Sequence, residues 1–393
     1  MSMAQAPAST APTSRLAGID FLRGVAVLLV VVHHIHLRFR LNRFDVSGVL
    51  PQGLERTLFS SGYYAVIAFF VISGFLITRL SLRRWGSLSK VSLGGFYTMR
   101  VARIMPCLLL LLVVLTALHC AGASDFTIRP ERASLGRALL AALTFHVNWL
   151  EGHAGYLPGN WDVLWSLSVE EVFYLAFPLV CLLLRRESWL IAALSALIVA
   201  GPINRALLDG QDPWQSYAYL SCTDAIAFGC LTALVVARVT LRKGMLQAAL
   251  SMGVILSAFI LICRETVLSL GLFRLGLDVT LLELAVAAMI VALANGVGSD
   301  ALRKGTQLIR TIGRSSYEIY LTHMFVVFGL MQIVKGTHSP NAAIPAWYVG
   351  MLVLSVLLGC AVAQLYSEPV NVAIRAWFGK RARGPEPIPA PVT

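Results

Sequence analysis

Long apolar segments follow one another along nearly the whole 393-residue chain, and they limit its possible folds more than any other feature. There are eleven of them, at approximately 19–37, 62–80, 104–122, 134–150, 163–184, 188–204, 218–238, 245–263, 279–298, 315–335 and 346–371. About 20 apolar residues in a helix cross the hydrocarbon core of a bilayer. With 57% hydrophobic residues, the chain has more apolar surface than a water-soluble protein carries. The sequence therefore predicts an all-α, polytopic transmembrane helical bundle whose partner is the lipid bilayer.

The distribution of charge predicts the topology of this bundle. The net charge is +12, but the basic residues are spread between the apolar segments, which indicates cytoplasmic links and argues against a nucleic-acid partner. Basic residues are concentrated at 79–103, 238–243, 300–314 and 375–383. These regions can share the cytoplasmic side only if one segment between 104 and 184 does not cross. The weakest is 134–150, which Arg137, His146 and Asn148 interrupt. We expect about ten spans, a re-entrant or interfacial piece at 134–150, and both termini in the cytoplasm.

One link does not follow this rule. The link 38–61 should lie outside, yet it carries Arg38, Arg40, Arg43 and Arg56. Cationic residues are normally concentrated in cytoplasmic links. The topology rule alone therefore does not account for these arginines.

The remaining composition indicates a single domain. Residues 1–14 are polar and rich in Ala, Pro and Ser, and residues 379–393 are rich in Pro, so both tails are expected to be disordered around one transmembrane domain at 15–378. None of the seven cysteines forms a C-x-x-C pair, so the sequence indicates neither a metal site nor a disulfide framework, and no tightly bound cofactor is expected.

The first apolar segment contains ionisable residues that are costly to place in lipid. Asp20, Arg23 and His34 lie within it, with His33 and His36 beside His34. Arg23 and His34 are eleven positions apart, so they project from one helix face, roughly 16 Å apart along the axis. An ionisable group within a span is expected to face the protein interior or a wet cavity. The alternative is that Arg23 extends to the headgroups and the histidines lie at the far interface.

Polar side chains also recur at regular spacings on three other segments. They are Arg100 and Arg103 at the start of the third span, Ser166, Glu170 and Glu171 near the start of the fifth, and Ser316, Tyr320 and His323 on the tenth. Spacings of three, four and seven residues place side chains on one face of a helix. Arg100 and Arg103 are therefore expected to share a face, and Ser316, Tyr320 and His323 to form a polar stripe.

Five of these stretches together resemble one known family. They are GIDFLRGVAVLLVVVHH (18–34), AVIAFFVISGFLIT (65–78), FYTMRVARIMP (96–106), WSLSVEEVFYLAFP (165–178) and GRSSYEIYLTH (313–323). In this order they resemble the acyltransferase-3 family of bacterial membrane-bound O-acyltransferases, which modify surface polysaccharides, lipid-linked glycans and some macrolides. The resemblance implies a protein of the bacterial inner membrane. The resemblance implies that an acyl group, expected to be acetyl, moves from the co-substrate acyl-CoA to a hydroxyl group. The chain shows no counterpart of the hydrolase-like domain that some relatives add, so a one-step transfer within the membrane is expected.

The resemblance also implies roles for individual residues. His34 would be the catalytic base or an acyl carrier, and the sequence leaves both open. Glu170 would orient the base or bind acceptor hydroxyls, unless it only neutralises the start of its helix. His33 and His36 would be interfacial.

Donor binding is implied for three arginines. Arg100 and Arg103 would hold the phosphates of coenzyme A, unless they only anchor the topology. Arg23 would contact the donor's pantetheine or pair with Asp20. Four residues would line the same cavity or form hydrogen bonds between helices: Asp20, Ser166, Tyr320 and His323.

At one position the chain departs from the family pattern. Many relatives carry an arginine shortly before Asp224, where this chain has Cys222 and Thr223, which leaves an electrostatic contact open.

The acceptor is expected to be a glycan, with a macrolide or other small secondary metabolite as the alternative. A noncatalytic transporter or flippase is the alternative of a different class, although the repeated halves typical of transporters are not visible. The sequence does not indicate the acceptor's identity, the acyl length or the oligomeric state.

Overall fold

A computed structural model describes residues 16–42, 61–298, 304–337 and 343–382, together with 55, 57, 59 and 302; for 379–382 only the backbone is described. Within these ranges the regular elements are all helical and there is no strand. The N-terminal tail 1–14 and residues 383–393 lie outside the described residues, so their expected disorder stays a prediction.

Long helices form the body of the molecule. They are α1 (Ala17–Leu41), α2 (Gly62–Trp85), α3 (Leu93–Cys120), α7 (Leu164–Leu184), α8 (Glu187–Leu207), α10 (Thr223–Arg238), α11 (Lys243–Ile262), α13 (Leu277–Ala294), α15 (Ser316–Gly336), α16 (Ile344–Val362) and α17 (Glu368–Ala382). Shorter helices connect them: α4 (Leu135–Leu143), α5 (Val147–Ala154), α6 (Gly159–Asp162), α9 (Trp214–Tyr217), α12 (Arg264–Ser269) and α14 (Gln307–Arg314).

In the described part of the chain, nine helical stretches are long and apolar enough to cross a membrane. One of them runs through α16 and α17 and contains a π-helical turn at Ala363–Ser367. The segment 218–238, which was expected to cross, contains the 16-residue helix α10, which is not among these nine. At 1.5 Å per residue α10 is about 24 Å long, shorter than a typical hydrocarbon core. The all-α, polytopic bundle is confirmed, and the protein is a multi-pass membrane protein.

The segment 134–150 does not form a single crossing helix. It divides into α4, with nine residues, and α5, with eight. Between them Phe145 has a φ of 59°, a left-handed backbone conformation that ends α4 before α5 begins. Nine helical residues extend only about 14 Å, so neither piece can span a bilayer. This agrees with the prediction that 134–150 does not cross.

The backbones of α2 and α10 pack closely against each other. A Cβ at Gly74 would lie 2.0 Å from the carbonyl oxygen of Ile226, and a Cβ at Gly229 would lie 1.9 Å from that of Val71. Both glycines are therefore required for the two backbones to approach this closely. In a membrane such close contact supplies van der Waals attraction between helices.

Asp224, which lacks the preceding arginine found in many relatives, forms its ion pair with a residue of a different helix. Arg205 of α8 lies 2.8 Å from the carboxylate of Asp224, and Glu283 lies 3.9 Å from the same guanidinium. Arg205 also donates to the carbonyl oxygens of Ser221 and Gly276. These side chains are buried, so the ion pair is desolvated, and removal of one partner would leave the other charge uncompensated.

Candidate active site

The predicted stripe on α15 makes contact with three other polar side chains. The guanidinium of Arg23 donates to Ser316 Oγ at 2.9 Å, the hydroxyls of Ser166 and Tyr320 are 2.7 Å apart, and Nε2 of His323 is 3.3 Å from Nδ1 of His34. Arg23 and His34, both on α1, thus contact α15 at positions seven residues apart. The structure brings these six side chains together along one line, from Arg23 to His34.

Backbone carbonyls set the tautomers of the two histidines. Nδ1 of His323 is 2.7 Å from the carbonyl oxygen of Tyr320, so it carries the proton and Nε2 is the acceptor. Nδ1 of His34 is 2.9 Å from the carbonyl oxygen of Val30, so it also carries its proton and donates to Val30 and towards His323. Nε2 of His34 is then the nitrogen that can accept a proton from a substrate.

A basic pocket extends from this stripe towards the N-terminal end of α1. Its deeper part has a volume of about 250 Å³ and is lined by Arg23, Arg100, Arg103, Glu170 and Tyr320, among others. An adjoining part of about 400 Å³ shares the three arginines. Further cationic side chains line this second part: Arg79, Arg83, Arg314 and Arg375. We call the two parts the inner pocket and the basic mouth.

Arg100 and Arg103 both line this pocket but have different environments. The guanidinium of Arg100 lies 4.0 Å above the ring centre of Tyr174. Arg103 binds the buried carboxylate of Glu318 through two nitrogens, at 2.8 and 3.3 Å. The charge of Arg103 is therefore partly neutralised within the protein, whereas Arg100 is held by an aromatic face. Sequence spacing alone could not distinguish them.

Glu170 lies in the inner pocket and not beside His34. Its carboxylate accepts hydrogen bonds from the hydroxyls of Ser73 and Tyr174. The side chain that contacts His34 is His323. A role of Glu170 in orienting the base therefore gains no support from a direct contact, and His323 takes that place.

Asp20 does not need Arg23 as its partner. Its carboxylate lies 3.4 Å from Nε of Arg314, and the two residues border the basic mouth together with Arg23. Arg23 instead donates to Ser316. The pairing expected three residues apart on one helix is replaced by a contact between α1 and the end of α14.

The histidines beside His34 are covered by other segments of the protein. His36 is buried, with 6% of its surface exposed, stacks on Phe59 and lies 3.0 Å from the hydroxyl of Tyr348. His36 therefore faces the protein interior, and its expected position at the membrane interface stays a prediction. His33 is half-buried and bonded to the carbonyl oxygen of Phe59.

A wide cavity opens at the other end of the stripe. It has a volume of about 660 Å³, and His33 and His34 form part of its wall. Charged and aromatic side chains form the rest, including Arg38, Asp125, Arg129, Arg132, Tyr156, Asp162 and Tyr217. The ring of Tyr320, which lines the inner pocket, lies 6.1 Å from the ring of His323. The inner pocket and the wide cavity thus approach each other across Tyr320, His323 and His34.

A loop after α5 holds one wall of the wide cavity. The carboxylate of Glu151 accepts a hydrogen bond from the backbone nitrogen of Leu157 at 2.9 Å. Burial raises the pKa of the Glu151 carboxyl well above its ordinary value. Burial also raises the pKa of the Tyr156 hydroxyl, which donates to Asp212. Glu151 thus holds Leu157 from behind the wall, while Tyr156 and Leu157 themselves line the cavity.

Several residues of these cavities were not found from the sequence. Arg38 follows His34 by one helical turn, and that spacing was a signal that could have been used. Arg375 and Asn371 line the basic mouth from α17, a region for which the sequence predicted only a basic, cytoplasmic end of the chain. Nothing local indicates that α17 folds back beside α3.

Comparison with known proteins identifies the family. A sequence model of the acyltransferase domain, Acyl_transf_3, matches residues 16–364. The chain belongs to the acyltransferase-3 family. The resemblance seen in its motifs is therefore confirmed across nearly the whole chain.

Two relatives indicate the type of reaction found in this family. The chain is 23% identical over 387 residues to the O-acetyltransferase OatA of Staphylococcus aureus (strain NCTC 8325), covering 92% of this chain and 57% of OatA. It is 29% identical over 171 residues to a putative O-acetyltransferase of S. aureus strain COL, covering 42% of this chain and 24% of that protein. The chain thus spans little more than half the length of OatA. No solved structure matches this chain.

Proposed function

We propose that this acyltransferase-3 protein moves an acyl group, expected to be acetyl, from acyl-CoA to a hydroxyl group of a glycan, with His34 as the base. The observation that carries the proposal is the stripe on α15, which links the arginines of the basic pocket to the His34–His323 pair between two cavities. The names of the relatives, O-acetyltransferases, support oxygen as the acceptor atom and acetyl as the group.

The basic pocket suits acyl-CoA because of how its charges are distributed. Coenzyme A has phosphates at one end and the thioester at the end of a flexible arm. The basic mouth offers permanently charged guanidinium groups, which bind phosphates with paired hydrogen bonds. The inner pocket beyond it ends at the hydroxyls of Ser166 and Tyr320. In this proposal the donor lies along Arg100, Arg103 and Arg23, and its thioester lies beside Tyr320.

The reaction then needs only one proton acceptor. The acceptor's hydroxyl gives its proton to Nε2 of His34 while its oxygen attacks the thioester carbonyl. The oxygen–acyl bond forms, the carbon–sulfur bond breaks, and the coenzyme A thiolate takes the proton back from His34. His323 accepts from Nδ1 of His34 and stabilises the imidazolium. The hydroxyls of Ser166 and Tyr320 are available to donate to the developing oxyanion.

The wide cavity suits a polar acceptor. Its wall carries guanidinium, carboxylate and phenol groups, which can hydrogen-bond a sugar with many hydroxyls. A macrolide would present a mainly apolar ring to this wall. The glycan is therefore the favoured acceptor class.

The proposal also gives the protein an orientation. Acyl-CoA is a cytoplasmic metabolite, so the basic mouth would face the cytoplasm of a bacterium and the wide cavity would face outwards. The basic residues around the mouth agree with this orientation. The N-terminal end of α1 would then be cytoplasmic.

The test is acyl transfer by purified protein in nanodiscs, measured as thiol release from acetyl-CoA and as acetylated oligosaccharide. His34→Ala and His34→Gln should lower turnover by several orders of magnitude while acetyl-CoA still binds, because neither side chain can take up a proton. His36→Gln is the matched control, since this buried histidine lies two residues away and borders neither cavity; it should keep most activity. Near-normal turnover by folded His34→Gln would refute the base assignment. Absence of any acetyl-CoA turnover by the wild type would refute the donor.

A further inference from the structure

We propose that the acceptor is an acidic sugar and that Arg38 binds its anionic group, a carboxylate or a phosphate. The inference deepens the proposed function and rests on the wide cavity being the acceptor site. It begins from the arginines of the link 38–61, which the topology rule does not explain.

Arg38 faces the same cavity as the proposed base. It follows His34 by four residues on α1, so the two side chains share a helix face about 6 Å apart along the axis, and both line the wide cavity. Arg40, two residues further on, is exposed and not among the lining residues. Of these two arginines, only Arg38 lines the wide cavity, where an acceptor would lie.

The guanidinium of Arg38 is held in place but not fully satisfied. It lies 4.6 Å from the ring centre of Phe328, a stacking contact that fixes the plane of the group. Its Nε is buried without a hydrogen-bond partner among the described residues. A buried donor without a partner is costly, and a ligand acceptor atom would remove that cost.

The backbone leaves room for this guanidinium. A Cβ at Gly159, at the start of α6, would lie 2.6 Å from Cε of Met324, 2.7 Å from a terminal nitrogen of Arg38 and 2.9 Å from Phe328. A larger residue at 159 would therefore compete with these three side chains for the same space. The absence of a side chain at Gly159 lets Arg38 occupy its position beside Phe328.

Two carboxylates of the wall, Asp162 and Asp125, attract the charge of Arg38. Asp162 also accepts from the hydroxyl of Tyr217 at 3.2 Å, and Asp125 accepts from the amide of Gln332. Arg129 and Arg132 add two exposed cations to the same wall. Three guanidinium groups thus face two carboxylates, and this excess of positive charge favours an anionic ligand. The spacing along α1 places the anion within one sugar unit of the hydroxyl that His34 would deprotonate.

Direct binding tests this proposal without the donor. The ligands are chitotetraose, which is neutral, the hyaluronan tetrasaccharide, which carries carboxylates, and chitotetraose with one phosphate. Binding to the protein in nanodiscs is followed by isothermal titration calorimetry. The wild type should bind at least one acidic ligand about 10- to 100-fold more tightly than the neutral one, as expected for a charge-assisted hydrogen bond. The tighter of the two acidic ligands identifies the anion as carboxylate or phosphate.

Variants assign the preference to Arg38. Arg38→Gln should lose it and Arg38→Lys should keep part of it, because lysine keeps the charge without the paired nitrogens. Arg40→Gln, the matched control on the same helix, should keep the preference. Equal binding of neutral and acidic ligands by the wild type, absence of binding by both acidic ligands, or a preference that survives in Arg38→Gln would each overturn the proposal. Because no acetyl-CoA is present, these outcomes are independent of failure of the proposed acyl transfer.

Discussion

Replacement of His323 should reduce turnover without weakening either substrate's binding. His323 is fully buried on α15, and its Nε2 lies 3.3 Å from Nδ1 of His34. It does not line the inner pocket or the wide cavity. If His34 is the base, His323 is a positioning residue: it holds the imidazole so that Nε2 is free for the acceptor's proton, and it accepts from Nδ1 when His34 becomes charged.

The size of the effect follows from this geometry. In the resting state the contact joins two neutral rings and is long, so it contributes little. Once His34 holds the acceptor's proton, the same contact becomes a charge-assisted hydrogen bond, worth about 1.5–3 kcal/mol. An interaction that strengthens only in the transition state acts on kcat, which should fall roughly 10- to 100-fold in His323→Leu. KM for acetyl-CoA and for the acceptor should change little, since His323 touches neither cavity.

The assay is steady-state acyl transfer in nanodiscs with both substrates varied, and thermal melting checks the fold. His323→Gln should recover part of kcat, because its amide oxygen can accept from Nδ1 of His34. A purely structural role for His323 would instead change melting and KM together. The reasoning is refuted if folded His323→Leu keeps the wild-type kcat, or if His323→Gln is as slow as His323→Leu.

Three further predictions concern the donor, the packing and the topology. Arg100→Ala should raise KM for acetyl-CoA about 10- to 100-fold and Arg100→Lys less, whereas unchanged KM in both would leave Arg100 as a topology anchor. Gly74→Ala should destabilise the bundle by about 1–3 kcal/mol in a denaturation assay, because its Cβ meets the α10 backbone; Gly94→Ala, with nothing within 4 Å, should not, and equal melting of the two variants would contradict the packing argument. In a cysteine-free background, cysteines at Arg83 and His153 should be labelled from the cytoplasmic and outer sides respectively; labelling of both from one side would overturn the proposed orientation.

Features set by local periodicity could be predicted from the sequence. The shared face of Arg23 and His34 and the stripe on α15 follow from helical repeat alone, because both sets lie within single helices. The failure of 134–150 to cross followed from its polar interruptions. These are statements about one segment at a time, and the structure agrees with them.

Features that depend on which helices meet could not be predicted. His34 and His323 are 289 positions apart, and no local rule says which turn of α15 faces which turn of α1. For the same reason Arg205 was not recognised as the partner of Asp224, since the pair joins α8 to α10. The sequence also did not show that Phe59 and Tyr348 cover His36, because both come from other segments.

The arginines of this bundle divide into two groups by what surrounds them. Arg205 and Arg103 each bind a buried carboxylate, so their charges are compensated inside the protein, and their removal would leave Asp224 or Glu318 unpaired. Arg38 and Arg79 each have a buried guanidinium nitrogen without a partner among the described residues, and each borders a cavity. A buried donor without a hydrogen-bond partner is costly, and a ligand atom in the adjoining cavity would remove that cost. The two incomplete arginines lie at opposite ends of the stripe on α15, which is where a phosphate-bearing donor and an acidic acceptor would enter from the two sides.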